Sequence, residues 1–171
     1  RLKKDFPVVI DEAMKVTSYG SLLKVCKDLL HEKIPIIDML TIIEAIADIA
    51  EFTKAPEVLL EHVRAKLYRL ITQKFKDNDG ILHIITIKPE LEQQFIGKLQ
   101  EHHGVSQLMI SIAEINNLVT KTKTLLDEIE AIGFSKITMV VDPVLRKRIS
   151  EIYEKFGLQV SVLSHAELDS R

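Results

Sequence analysis

The sequence has a single cysteine, Cys26, and it lacks the short motifs that mark many enzymes and metal sites. One cysteine excludes a disulfide within the chain and favours a reducing compartment. There is no glycine-rich phosphate loop, no Cys-x-x-Cys pair, no His-Glu-x-x-His and no nucleophile elbow. We therefore expect no catalytic residues, no metal and no cofactor.

The sequence also lacks a strong charge imbalance and a long uninterrupted apolar run. Its 23 basic and 25 acidic side chains give a formal net charge of −2, whereas nucleic-acid binding usually requires a basic excess. We therefore expect no nucleic-acid partner. The most apolar segment, Pro35–Ala50, is too short to span a membrane and is interrupted by acids. Because the chain starts without methionine or a signal segment, we expect it to be part of a longer protein.

The apolar segment Pro35–Ala50 instead has the pattern of a core helix. Pro35 suits a first helical turn, and Asp38 lies early enough to face the positive helix end. Its apolar residues recur at three- and four-residue spacing and form one wide face: Ile36, Met39, Ile42, Ile43, Ile46 and Ile49. Ile37 and Leu40 fall partly outside this face, which indicates a second surface.

Helical patterns extend from the start of the chain to about residue 77. Ser18 suits the N-cap of a helix from Tyr19 to about His31, and Cys26 lies on its apolar side. Pro56 opens another helix. Its predicted inward residues are Leu60, Val63, Leu67, Leu70 and Ile71, and its predicted exposed residues are Glu57, Glu61, Arg64, Lys66 and Arg69. The polar turn Lys76–Gly80 then ends this half.

Beyond this turn, strand patterns alternate with helical ones. The predicted strands are Ile81–Ile87, Lys136–Val141 and Gln159–Leu163. The predicted helices are Glu90–His102, about Ser106–Ile132, and Pro143–Phe156, with breaks at Gly104, Gly133 and Gly157. The β-α-β order predicts parallel pairing. The predicted fold class is α+β with several subdomains: a helical subdomain followed by a small α/β subdomain with a mostly parallel sheet.

Asp142 and His165 form the most enzyme-like constellation, because both follow strands that we expect to run parallel, and ligands usually sit at the carboxyl edge of such a sheet. A small α/β enzyme with its site at these two residues is therefore the alternative function. The structural interpretation is stronger. Asp142-Pro143 has the form of a helix cap followed by a first-turn proline.

Two other polar runs have ordinary structural explanations. His102 and His103 would point about 100° apart on a helix, which suits one shared metal ion poorly, and we interpret them as a solvated helix end. The basic run Arg146–Arg148 is short and is followed by acidic residues, so we interpret it as an exposed helix face rather than a phosphate site.

Two separated motifs carry a family resemblance. The first, Ser18–Glu44, reads SYGSLLKVCKDLLHEKIPIIDMLTIIE, and the second, Glu61–Ile71, reads EHVRAKLYRLI. In this order they resemble the cytoplasmic region of the FlhA family, the large inner-membrane proteins of flagellar and virulence type III export. The resemblance covers nearly the whole chain and is strongest over Pro7–Ile71.

The resemblance implies four cytoplasmic subdomains after a membrane-spanning half, and therefore a place at the bacterial inner membrane with this part on the cytoplasmic side. By that comparison, residues 1–33 are the trailing part of the first two subdomains. Residues 34–79 are the helical, ring-forming third subdomain. Residues 80–171 are the α/β fourth subdomain, with a start as late as about 113 left open.

The resemblance also implies a function without catalysis, as the docking and ring-forming domain of a flagellar type III export gate. The implied partners are export chaperone–substrate complexes, other components of the export apparatus, and further copies of the protein in a nonameric ring. Val16, Thr17 and Gly20 match part of the chaperone-docking wall.

The candidates for the ring interface are Ile37, Asp38 and Leu40. Ile37 stands where relatives usually carry arginine before the Asp-Met pair, so a ring salt bridge at this position is not expected. Met14 and Tyr19 also depart from the family pattern, which commonly has proline and leucine there. Because of these two departures, the exact chaperone contacts of this chain are not carried over from the family.

Overall fold

The computed structural model describes residues 2–102 and 105–169, without the side chains of residues 2, 3 and 102. The elements, in chain order, are α1 (Leu2–Asp5), α2 (Pro7–Val16), α3 (Tyr19–His31), α4 (Met39–Ala50), α5 (Pro56–Lys66), α6 (Tyr68–Phe75), β1 (His83–Thr86), α7 (Pro89–Ile96), β2 (Leu99–His102), β3 (Val105–Leu108), α8 (Ile112–Ala131), β4 (Ile137–Val141), α9 (Pro143–Lys155) and β5 (Ser161–Ser164). A short 3-10 helix, His165–Glu167, follows β5.

The chain divides into two compact units, which we call unit 1 (Arg1–Ile71) and unit 2 (Thr72–Arg171). The division falls within α6, several residues before the polar turn at which the sequence pattern changes. The subdomain bounds 1–33, 34–79 and 80–171 stay predictions.

Unit 1 is helical, and α3 has the predicted bounds. Ser18 precedes α3, and its Oγ accepts a hydrogen bond from the N–H of Ser21 at 3.1 Å. This bond satisfies one of the amides that have no partner at a helix start. Cys26 lies on the buried side of α3 as predicted, and burial raises the pKa of its thiol.

The start of α4 was predicted wrongly. Pro35 lies outside the helix, which begins at Met39 with Asp38 as its N-cap. The Asp38 carboxylate accepts hydrogen bonds from the N–H and the hydroxyl of Thr41, at 3.1 and 2.8 Å. Because an N-cap residue has non-helical backbone angles, the residues before Asp38 do not continue the helix. Within α4, Ile42, Ile43 and Ile46 are buried as predicted.

The helix that opens at Pro56 also differs from its prediction in two respects. It ends at Lys66, and Leu67 separates it from α6. Arg64, predicted to be exposed, has only 1% of its side chain accessible. Its guanidinium contacts Glu32, at the end of α3, and the pairing of the two charges makes this burial tolerable.

Unit 2 is built on a parallel sheet with the strand order β1-β4-β5. Helix α9 connects β4 to β5, as the β-α-β pattern predicts, and Leu145, Ile149 and Tyr153 from this helix are buried in the core together with strand residues. The predicted fold class is confirmed: a helical part is followed by a small α/β part with a parallel sheet.

The structure contradicts the predicted extents of the helices on either side of residue 104, Glu90–His102 and about Ser106–Ile132. Helix α7 ends at Ile96, α8 begins only at Ile112, and two antiparallel strands, β2 and β3, lie between them. Leu99 pairs with Leu108 in this hairpin, and both pack against the unit 2 core. This tertiary packing overrides a weak local helical pattern. The predicted break at Gly104 lies outside the described residues.

The basic run in α9 is likewise not a uniformly exposed face. Arg146 is 1% exposed, and its Nε lies 3.8 Å from an oxygen of the buried Glu167. The other oxygen of Glu167 accepts a hydrogen bond from the N–H of Ser164 at 3.3 Å. Thr72 in α6 is hydrogen-bonded to the C-terminal residues that follow β5. Its hydroxyl donates to the carbonyl of Glu167 and accepts from the N–H of Asp169.

Candidate functional site

The predicted docking residues lie at the junction of α2 and α3. Val16 is the last residue of α2, and Thr17 follows in an extended conformation that redirects the chain towards α3. The hydroxyl of Thr17 is buried and has no hydrogen-bond partner within the described part of the chain. Gly20, in the first turn of α3, is exposed, and a Cβ at this position would meet only the Oγ of Ser18 at 3.6 Å.

The loop between α4 and α5 is tied to this junction. The Nζ of Lys54 donates a hydrogen bond to the carbonyl of Val16. Phe52, in the same loop, is 85% exposed. Exposed aromatic side chains are common energetic centres of protein interfaces. The α2–α3 junction and the loop therefore combine an open glycine with an exposed aromatic ring.

A cleft of about 570 Å³ lies between α2 and α4, and we call it the α2–α4 cleft. Its lining residues are Val9, Glu12, Ala13, Val16, Thr41, Glu44, Ala45, Ala47, Asp48 and Lys66. Val16 thus belongs both to the predicted docking stretch and to this cleft. Sequence reasoning missed the cleft, because α2 and α4 are separated by α3 and nothing in either helix alone indicates that their faces meet.

The predicted ring residues lie at and before the start of α4. Ile37 is 78% exposed. Asp38 caps α4, so its carboxylate is engaged with Thr41 within the same chain. Leu40 is half-buried. Of the three, Ile37 offers the most surface to a partner.

Asp142 and His165 lie at the same edge of the sheet, as expected from parallel strands, since Val141 of β4 is paired with Ser164 of β5. Asp142 already has a structural role: its carboxylate accepts from the N–H of Val144 at 3.0 Å and caps α9. Glu92, which sequence reasoning overlooked, accepts a hydrogen bond from the N–H of Asp142 at 2.7 Å.

Residues 2–102 and 105–169 hold no group of three or more His, Cys, Asp or Glu side chains placed to bind a metal ion. His103 lies outside these ranges, and His102 ends β2 rather than a helix. None of the helices described in the structure has both the length and the apolar character needed to cross a membrane.

Comparison with protein families decides the affiliation. The model of the FHIPEP family matches residues 1–171, the entire chain. The chain belongs to the FHIPEP family. The resemblance drawn from the Ser18–Glu44 and Glu61–Ile71 motifs is thereby confirmed.

Two curated relatives show how much of a FHIPEP protein the chain represents. The flagellar biosynthesis protein FlhA of Helicobacter pylori is 39% identical over 170 residues, covering 99% of this chain and 23% of that protein. FlhA of Escherichia coli is 30% identical over 169 residues, covering 98% and 24%. The chain therefore spans about a quarter of the length of these relatives.

Solved structures give the same fold. The C-terminal domain of InvA superposes with a TM-score of 0.87 at 26% identity, over 99% of this chain and 52% of that one. The nonameric SctV-C of EPEC gives 0.86 at 19% identity, over 99% and 50%. The CdsV of the Chlamydia pneumoniae CdsV and CdsO complex gives 0.82 at 22% identity, over 99% and 49%. At these last two identities the likeness establishes the fold alone.

Proposed function

We propose that the chain is a non-enzymatic docking and ring-forming part of a flagellar type III protein-export gate. The observation that carries this proposal is the family match over the whole chain, joined to 39% identity with a flagellar biosynthesis protein across nearly all of it. Docking needs an accessible surface of suitable shape, and it needs no reactive side chains. The α2–α3 junction offers such a surface.

The proposed ligands of this junction are export chaperone–substrate complexes. Thr17 supports this role through its extended backbone, which turns the chain from α2 into α3 beside the exposed Gly20. The exposed Gly20 leaves room beside it for a partner's side chain. Val16 completes the surface with an apolar contact.

Ring formation is proposed to use Ile37, Asp38 and Leu40. The solved relatives include a nonameric assembly, and Ile37 is accessible to a neighbouring subunit because 78% of it is exposed. The rest of the protein would hold the ring at the bacterial inner membrane, with this part on the cytoplasmic side. Further partners would be other components of the export apparatus, and the relative CdsV forms a complex with another protein, CdsO.

A chimaera tests the proposal. The matching segment of Helicobacter pylori FlhA is replaced by this chain, and flagellar assembly is scored in cells that lack the native protein. We expect assembly to be retained. A stable chimaera that supports no flagella would contradict the proposed function.

Docking is tested in the same chimaera with Gly20→Trp. The added ring fills open space and removes no packing contact, so binding of purified chaperone–substrate complexes should weaken in calorimetry without a change in helical content. Lys123→Trp, on the exposed side of α8, is the matched control and should bind normally. Equal affinities for the two variants would show that chaperone–substrate complexes do not dock at this junction.

The enzyme alternative is tested by His165→Ala. Because His165 is exposed and precedes the C-terminal residues of the fold, its loss should leave both assembly and structure intact if the protein only docks partners. Loss of export with an intact fold would favour the enzyme.

A further inference from the structure

The floor of the α2–α4 cleft is formed by small apolar side chains. Val9 and Ala13 come from α2, and Ala45 and Ala47 come from α4. A groove between two helices accepts the apolar face of a third, and small side chains on its floor allow that helix to approach closely. The volume of about 570 Å³ is sufficient for several side chains of such a helix.

The rim of the cleft is acidic. Glu12, Glu44 and Asp48 line it together with one cation, Lys66. Lys66 forms an ion pair with Asp48, since its Nζ lies 3.2 Å from a carboxylate oxygen of that residue. Glu12 and Glu44 are exposed, and neither side chain forms a hydrogen bond or ion pair with any residue that the structure describes. Two carboxylates on different helices therefore flank the apolar floor without compensation.

We propose that the α2–α4 cleft binds a basic amphipathic α-helix supplied by a partner protein. The apolar face of that helix would lie on the alanine and valine floor, and its flanking lysines or arginines would face Glu12 and Glu44. Complementary charge at the rim of an interface chiefly sets the partner and speeds association, while the apolar floor retains it. Acidic peptides and nucleic acids carry the wrong charge for this rim.

This inference goes beyond the proposed chaperone docking and is independent of it. The two surfaces share Val16, but the cleft depends on Glu12 and Glu44, which the docking surface does not use. Gly20→Trp can therefore fail to affect chaperone binding while the cleft still binds its helix, and the reverse outcome is equally distinguishable.

The probe is a labelled synthetic peptide of about 14 residues, roughly four helical turns. It carries leucines on one face and lysines beside them. A second peptide keeps the leucines and replaces every lysine with glutamate. Binding to the full chain is measured by fluorescence anisotropy. We expect the lysine peptide to bind, with an affinity that falls as salt rises, and the glutamate peptide not to bind.

Two charge-reversal variants locate the site. Glu12→Lys with Glu44→Lys should weaken binding of the lysine peptide by about tenfold or more, as expected for losing two charge pairs at an interface. Glu128→Lys with Glu130→Lys, on exposed positions of α8, makes the same change in net charge and should alter the affinity less than about twofold, since neither residue lines the cleft.

The apolar floor is tested by Val9→Asn. Val9 is half-buried, so thermal unfolding is recorded beside binding. We expect weaker binding with a cooperative unfolding transition retained. Equal weakening by both charge reversals would overturn the proposal, because attraction would then follow net charge alone. Self-association that disappears in Glu12→Lys with Glu44→Lys would also overturn it, because a second copy would be the occupant.

Discussion

The guanidinium of Arg64 on α5 lies 2.5 Å from a carboxylate oxygen of Glu32 at the end of α3, and water has little access to either group. Glu32 is 11% exposed and Arg64 only 1%. The pair joins two helices of unit 1 that are separated in sequence by α4. A charge placed so deeply depends on its partner, since desolvation is costly for either group alone.

Removing one member of this pair should destabilise unit 1. For Glu32→Ala we expect a loss of about 3 kcal/mol in the free energy of unfolding, the lower end of the range for breaking a buried ion pair. Urea unfolding followed by circular dichroism measures it. The double change Glu32→Leu with Arg64→Met should cost less than Glu32→Ala, because it removes both buried charges and replaces them with apolar side chains. A loss below about 0.5 kcal/mol for Glu32→Ala, typical of surface changes, would contradict the argument.

The two isoleucines around the start of α4 should respond differently to the same substitution. Ile37→Arg should change the stability of the monomer by no more than about 0.5 kcal/mol, because Ile37 is exposed. Ile43→Arg should unfold unit 1, because Ile43 is buried against Ile10 and Ala13. Thermal melting of the two variants separates these outcomes.

The ring proposal adds an expectation for Ile37→Arg. Weak contacts gain importance when neighbours are held at high effective concentration, so the substitution should alter self-association of lipid-tethered protein before it alters melting. A stability loss above about 2 kcal/mol, the scale of burying an unpaired polar group, would instead place Ile37 in a core.

Stability of unit 2 should decrease in acid partly through Glu114, in the first turn of α8. The Lys98 ammonium, first, and then the N–H and hydroxyl of Ser111 lower the pKa of Glu114 from its ordinary 4.5 to about 2. Because the folded-state pKa is the lower one, this contribution is present above pH 4.5 and is lost as the pH falls towards 2. Lys98→Met and Glu114→Gln should each flatten this part of the pH dependence of unfolding. An unchanged slope in both variants would refute the assignment.

A hydrogen bond between α8 and α9 offers a further test. The hydroxyls of Thr122 and Tyr153 lie 2.9 Å apart and are buried, and burial raises the pKa of Tyr153 to about 12. Tyr153→Phe should cost about 1–3 kcal/mol, because it leaves the Thr122 hydroxyl without this partner. The double variant Thr122→Val with Tyr153→Phe should lose less stability than the sum of the losses of the two single variants. Strict additivity in this double-mutant cycle would mean that the hydroxyls do not interact.

Local signals were sufficient for several elements. Ser18 caps α3 at the predicted residue, and Asp142 followed by proline marks the start of α9. Both signals act within one helical turn, which is why they are readable from a short stretch of sequence. The β4-α9-β5 unit was predictable for the same reason, because its strands and helix follow each other directly.

The contacts that could not be predicted join distant parts of the chain. Arg64 and Arg146 have the spacing of exposed residues, yet both are buried against acids that lie elsewhere in the sequence, Glu32 and Glu167. The β2–β3 hairpin was missed because its short strands are held by packing on unit 2 rather than by strong strand propensity. The α2–α4 cleft was missed because it exists only once the helices have packed.

The strand order β1-β4-β5 also determines when the sheet can form. His83 of β1 pairs with Ile137 of β4, so more than fifty residues must be synthesised before β1 meets its neighbour. The β4-α9-β5 unit forms from residues close in sequence. Pairing β1 with β4 closes a long loop, which carries a larger cost in chain entropy. During translation, β1 therefore emerges as an unpaired strand edge, open to the wrong partner until β4 leaves the ribosome.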